Sequence, residues 1–214
     1  MSVRVARFAV AGSIALVGCL TLPSGAAVTN SCVVLRDTSG DSRVGPVGTN
    51  DDGLDITSVT LSTDGTNALI ALQVKDLASG TQTGRTWDVT FGNLESYFTV
   101  EASQELDGLG FALYGPGRID GQPPLAQIGG SVDSSRSRVS FSVPFKAMHT
   151  TSSFGARDFR ATTGRAVGTS GQRFKSGPFA GTGLDQPEAT TVVYDEGTSQ
   201  TKYSFKHGCD GKHY

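Results

Sequence analysis

The chain has 214 residues, 18 basic against 20 acidic, with 28 glycines and three cysteines. That length holds one domain with a sizeable core and leaves little room for a second. A slightly acidic balance argues against nucleic acid or an anionic membrane surface as partner, because both need a basic face.

The chain opens on an export signal. Arg4 and Arg7 precede an almost uncharged apolar run from Phe8 to Leu22, too short to be a comfortable membrane span. Pro23 breaks the run, and Ser24 to Ala27 supply the small residues a signal peptidase accepts. Residues 1–27 therefore read as a signal peptide and 28–214 as one secreted, extracellular domain. A second reading stays open: Leu16-Val17-Gly18-Cys19 resembles a bacterial lipobox, in which Cys19 is lipidated and anchors the protein at the membrane surface. Leu20-Thr21-Leu22 weighs against it by keeping the run apolar beyond the cysteine. Loss of Arg4 and Arg7 takes the basic count from 18 to 16 against 20 acidic residues, a formal charge near −4. Either cleavage leaves Cys32 and Cys209, an even count that predicts a disulfide in an oxidising compartment.

Beyond the leader, short runs alternate apolar and polar residues between glycines, with no apolar period of 3.6 at helical length. Strands are predicted near Cys32–Arg36, Asp55–Ser62, Ala68–Lys75, Thr86–Gly92, Tyr97–Ala102, Gly110–Tyr114, Ile128–Val132, Arg138–Val143, Asp158–Thr162 and Thr190–Tyr194. Ala68 to Val74 is apolar on both faces for much of its length, as in a central strand. Val139, Phe141 and Val143 share one face until Pro144 ends the run, as do Trp87, Val89 and Phe91, and Phe98, Val100 and Ala102. Several strands with one apolar face need a second sheet to cover it, so the fold class is all-β, an antiparallel two-sheet β-sandwich. Thr63–Thr66 and Asp133–Arg136 read as hairpin turns, and Phe145–His149 as a short helical turn. Asp37–Gly53 and Gly164–Pro187 read as long surface loops.

The first of these loops concentrates oxygen. Asp37, Asp41, Asp52 and Asp55 lie among glycines, and calcium takes six to eight hard oxygens from carboxylates and backbone carbonyls. They are the candidate ligands of a structural calcium, although the spacing does not fit an EF-hand and the same residues form turns unaided. His207, Cys209, Asp210 and His213 are a weaker metal set, since Cys209 is better employed in a disulfide. A nucleophile elbow is approached only at Gly168-Thr-Ser170-Gly171-Gln172, which lacks the final glycine, so no catalytic residue is assigned and the chain is expected not to be an enzyme. For carbohydrate binding, Trp87 alternates with core residues, which leaves Tyr97 and Tyr114 as candidate exposed rings and Asp88 as a polar companion.

Several motifs together resemble a group of small uncharacterised exported proteins and surface domains of actinobacteria. These are Cys32-Val-Val-Leu-Arg-Asp37-Thr-Ser-Gly-Asp41, Leu54-Asp55-Ile56, Ser62-Thr-Asp64, Val74-Lys-Asp76-Leu77, the aromatic pair Trp87–Ala102 and Val139-Ser-Phe-Ser-Val143-Pro144. Such domains are similar to the sandwiches of family-nine carbohydrate-binding modules, and the resemblance implies a jelly-roll-like fold with a structural calcium. Fold analogy transfers no ligand. The expectation is an exported non-catalytic module that binds polysaccharide at the cell surface or in the medium. An envelope-structural or protein-interaction role is the alternative, and a secreted hydrolase the second.

Overall fold

Alternating burial becomes two antiparallel sheets. The computed structural model of the chain describes residues 27–42, 50–78, 83–92, 96–105, 108–116, 123–151, 153–167 and 190–209. The leader up to residue 26, with Cys19, lies outside the described residues, as do Asp210, His213 and 168–187 of the second predicted loop. The strands are β1 (Thr29–Arg36), β2 (Ile56–Thr63), β3 (Asn67–Val74), β4 (Arg85–Gly92), β5 (Tyr97–Glu105), β6 (Gly108–Tyr114), β7 (Ala126–Gln127), β8 (Gly129–Asp133), β9 (Arg138–Pro144), β10 (Gly155–Ala156), β11 (Asp158–Val167), β12 (Thr190–Ser199) and β13 (Tyr203–Ser204). Five form the first sheet in the order β1-β2-β3-β9-β8, and six the second in the order β12-β11-β4-β5-β6-β7. The two pack against each other as a β-sandwich.

Strand β3 is central in the first sheet, with Ala68, Ile70, Leu72 and Val74 buried and Leu69, Ala71 and Gln73 half-buried between them. Opposite stand Trp87, Val89 and Phe91 of β4 and Phe98, Val100 and Ala102 of β5, joined with the first sheet in one apolar cluster. Full burial of a Val, Leu, Ile or Phe side chain is worth about 1.5–3 kcal/mol, so these interlocked rows hold the sheets together. Trp87 is core, and its Nε1 donates to the Gly53 carbonyl at 3.1 Å, satisfying the ring's one polar atom. Pro144 closes β9 and a 3-10 turn follows at Phe145–Met148. A second 3-10 turn, Ser134–Arg136, closes the β8–β9 hairpin, with Asp133 accepting from the Arg136 amide.

The predicted strands all form, and β1, β5, β11 and β12 run three or more residues longer than predicted. Strand β11 continues to Val167, so the start of the predicted Gly164–Pro187 loop is sheet. Strands β7, β10 and β13, two residues each, have no period to read. The last two pair with each other, and beyond them Cys209 is bonded to Cys32 of β1, with Cα atoms 6.0 Å apart. The tail docks without that bond as well. Asn30 Nδ2 donates to the carbonyls of Phe205 and Lys206, and Phe205 is buried between the rings of Phe145 and the buried Tyr203.

Candidate functional site

Strand β1 ends at Arg36 and β2 starts at Ile56, so the acidic connection between them is anchored at one end of the first sheet. Gly40, at φ +101°, allows a turn in which its amide donates to Asp55 Oδ2 at 2.7 Å. Asp55 is completely buried and Asp41 is exposed. A third carboxylate arrives from far along the chain: Asp195, 8% exposed, belongs to β12, the outermost strand of the second sheet. Its Oδ2 accepts from the Ile56 amide at 2.6 Å. Asp41, Asp55 and Asp195 thereby offer oxygens that all lie within 4.8 Å of one another.

Close approach of β12 to β1 depends on Gly197. A Cβ there would stand 2.7 Å from Asp37 Oδ2 and 2.9 Å from Leu35 Cδ2. Asp37 Oδ2 and Asp55 Oδ1 are both shut away from solvent without a hydrogen-bond partner among the described residues. Burial pushes the Asp37 carboxyl up, against the Thr38 amide, with Asp41 adding to the rise. The Asp55 carboxyl is raised for the same first reason, with Asp41 adding to the rise and the Gly40 amide, Lys75 and the Asn50 side chain opposing it. Asp195 is pushed up to about 6, by burial first and by the charges of Asp37 and Asp41, against the Ile56 and Glu196 amides. Each carboxylate is costly to ionise beside the others.

Of the four predicted ligands, the structure brings Asp41 and Asp55 together and sets Asp37 beside them. Asp52 is engaged elsewhere, its Oδ1 taking Asn50 Nδ2 at 2.8 Å and Lys75 Nζ at 3.0 Å. Lys75 reaches Asp55 Oδ2 only at 4.0 Å. Asp51 is structural: it holds the fully buried Arg85 at 2.6 Å through one oxygen and Arg165 at 2.7 Å through the other. Sequence reasoning passed over Asp195, since nothing in Tyr194-Asp195-Glu196 marks it.

The other predicted group shares one face of the second sheet, turned away from the core. Tyr97, Thr99 and Glu101 alternate along β5, with Glu101 opposite Asp88 and Thr99 opposite Tyr114. The structure thus sets Tyr97, Tyr114 and Asp88 on one surface and gives them different roles. Tyr114 is buried, its hydroxyl 3.4 Å from Glu101 Oε1, which removes it as a stacking platform. Tyr97 is 37% exposed and donates through its hydroxyl to Asp158 Oδ2 at 2.8 Å. That bond raises the phenol above its ordinary range. Thr90 and Thr99 join hydroxyls at 2.9 Å on the same face, and Arg160 pairs with Glu196 at 2.8 Å towards its edge.

No family model, curated protein or solved structure matches this chain.

Proposed function

We propose that the chain is an exported, non-catalytic β-sandwich module that binds carbohydrate of the cell surface or the medium at Tyr97. The observation that carries this reading is an exposed aromatic ring whose hydroxyl is fixed by Asp158, with Arg157 beside that carboxylate at 3.8 Å. A ring held in one orientation offers an apolar face for a sugar at little entropic cost, and adjacent planar polar groups can meet its hydroxyls. The Cys32–Cys209 bond fits an oxidising compartment, and the resemblance to exported sandwich domains points the same way. Secretion after Ala27 is the preferred export route, with lipidation at Cys19 as the alternative; the intact mass of protein recovered from its host separates a chain beginning at Val28 from a diacylglyceryl adduct.

The test is equilibrium retention on cellulose, chitin, xylan and isolated cell-wall polymer. The protein is expected to bind at least one of these, Tyr97→Ala to weaken binding about tenfold and Tyr97→Phe to weaken it less, in line with roughly 0.5–1.5 kcal/mol for an aromatic contact. Retention by none, or undiminished binding by Tyr97→Ala, refutes the reading. A protein-interaction role is a second reading, favoured by β8: it ends the first sheet, and Gly129, Gly130 and Ser131 are exposed. Such an edge can accept a strand from a partner, and Ser131→Pro should abolish that pairing while leaving polysaccharide binding intact.

A further inference from the structure

We propose that Asp41, Asp55 and Asp195, with Asp37 beside them, form a calcium site that clasps β12 to the first sheet. This site is separate from the Tyr97 face and stands or falls without it. Asp41 and Asp55 come from the β1–β2 connection and Asp195 from β12, so the oxygens that converge within 4.8 Å belong to two sheets sharing no ladder. Convergence of acids alone would carry little; two buried oxygens make the difference.

Asp55 has no solvent exposure, and among the described residues its Oδ1 has no hydrogen-bond donor. Asp37 Oδ2 is likewise enclosed and without a donor among the described residues, in a space that exists because residue 197 has no side chain. A buried carboxylate oxygen without a donor is expensive, and a bound cation is the partner that removes the cost for several such oxygens at once. Lys75 does not fill that role, being 3.0 Å from Asp52 but 4.0 Å from Asp55, with 43% of its side chain exposed. The ligand atoms are all carboxylate oxygens, which suits a hard cation over zinc or copper. Calcium, with metal–oxygen distances of about 2.3–2.6 Å and flexible geometry, bridges oxygens this far apart more readily than magnesium, which demands a tight octahedron near 2.0–2.1 Å.

The consequence is mechanical. Strand β12 lies at the edge of its sheet, held on one side by β11. A cation shared by Asp195 and Asp55 adds an ionic tie on its other side, next to the Ile56 amide bond.

The experiment uses the mature, disulfide-bonded chain after dialysis against EDTA, titrated calorimetrically with CaCl2 and then with MgCl2, and followed by thermal unfolding. With a dissociation constant of about 0.1 mM, in the range of extracellular modules, 10 mM calcium should raise the Tm by roughly 5–10 °C. Asp195→Asn retains an acceptor for the Ile56 amide and should fold; it should weaken calcium binding at least about tenfold and lose about half or more of the Tm shift. Asp55→Asn should do the same, and Asp133→Asn, on the β8–β9 hairpin, should titrate like the parent. Amide exchange in β12 should slow when calcium is added. Three outcomes overturn the proposal: no heat and no Tm shift for the parent, a shift that survives undiminished in Asp195→Asn, or magnesium acting equally at equal concentration.

Discussion

Removing both half-cystines tests how the two ends of the domain are joined. In a Cys32→Ser/Cys209→Ser double variant, the bond that closes a sequence separation of 177 residues is gone. The chain-entropy relation assigns a loop of that length about 5 kcal/mol at 25 °C, arising in the unfolded chain. The folded state should survive, because other contacts hold the tail: Asn30 Nδ2 donates to Phe205 and Lys206 carbonyls at 2.9 Å each, and the Tyr203 hydroxyl donates to the Asn30 carbonyl at 3.0 Å. Tyr203 and Phe205 are also buried, their ring centres 4.9 Å apart. The double variant is therefore expected to keep its far- and near-ultraviolet circular dichroism. Its Tm should fall by roughly 10–20 °C at about 2–4 °C per kcal/mol for a domain of this size. Differential scanning calorimetry of the parent and the variant, both free of reductant, gives the comparison. A Tm within about 2 °C of the parent would refute the assignment of stability to loop closure. Alkylation of two thiols in the unreduced parent would show that the bond does not form at all.

Three further perturbations probe the scaffold. Asp51→Ala removes the carboxylate that pairs with the fully buried Arg85 at 2.6 Å and with Arg165 at 2.7 Å; urea unfolding should show a loss of about 3–5 kcal/mol, part of it recovered by adding Arg85→Met. Gly92→Ala should cost about 1–3 kcal/mol by the same measurement, because a Cβ there would lie 2.2 Å from the Ser96 carbonyl oxygen, a backbone atom that cannot simply swing away. Asp64 is held at about 2: partial burial opposes ionisation but is outweighed by Asn67 Nδ2, the amides of Thr66 and Asn67, and the Thr66 hydroxyl. Its folded pKa lies below the unfolded value of 3.8, so its contribution is complete above about pH 5 and disappears as the pH falls towards 2. Asp64→Ala should cost about 1 kcal/mol at pH 6 after allowance for solvent screening, and almost nothing at pH 2. An equal cost at both pH values would contradict the ionic origin.

What the sequence reveals follows the range of the interaction involved. Arg138–Pro144 and Arg85–Gly92 are legible because a strand facing the core writes its burial in steps of two, and the structure buries Val139, Phe141, Val143, Trp87, Val89 and Phe91 accordingly. A two-residue ladder such as Gly155–Ala156 against Tyr203–Ser204 has no period, and its position comes from the docking of Phe205 and the tail rather than from local preference. The acidic cluster divides along the same line. Asp37, Asp41 and Asp55 stand out because one turn-rich segment carries them, whereas Asp52, identical in composition and context, is drawn away by Lys75 at the far end of the β2–β3 hairpin. Asp195 becomes legible only when the sheets are stacked, since it meets the first sheet through the Ile56 amide, 139 residues distant. Tyr97 and Tyr114 repeat the lesson on the opposite face: alternation puts them on one surface, but burial of the second and exposure of the first depend on what the folded chain lays over each. Pattern therefore fixes which way a side chain points, and packing decides whether it meets solvent, another carboxylate or a donor.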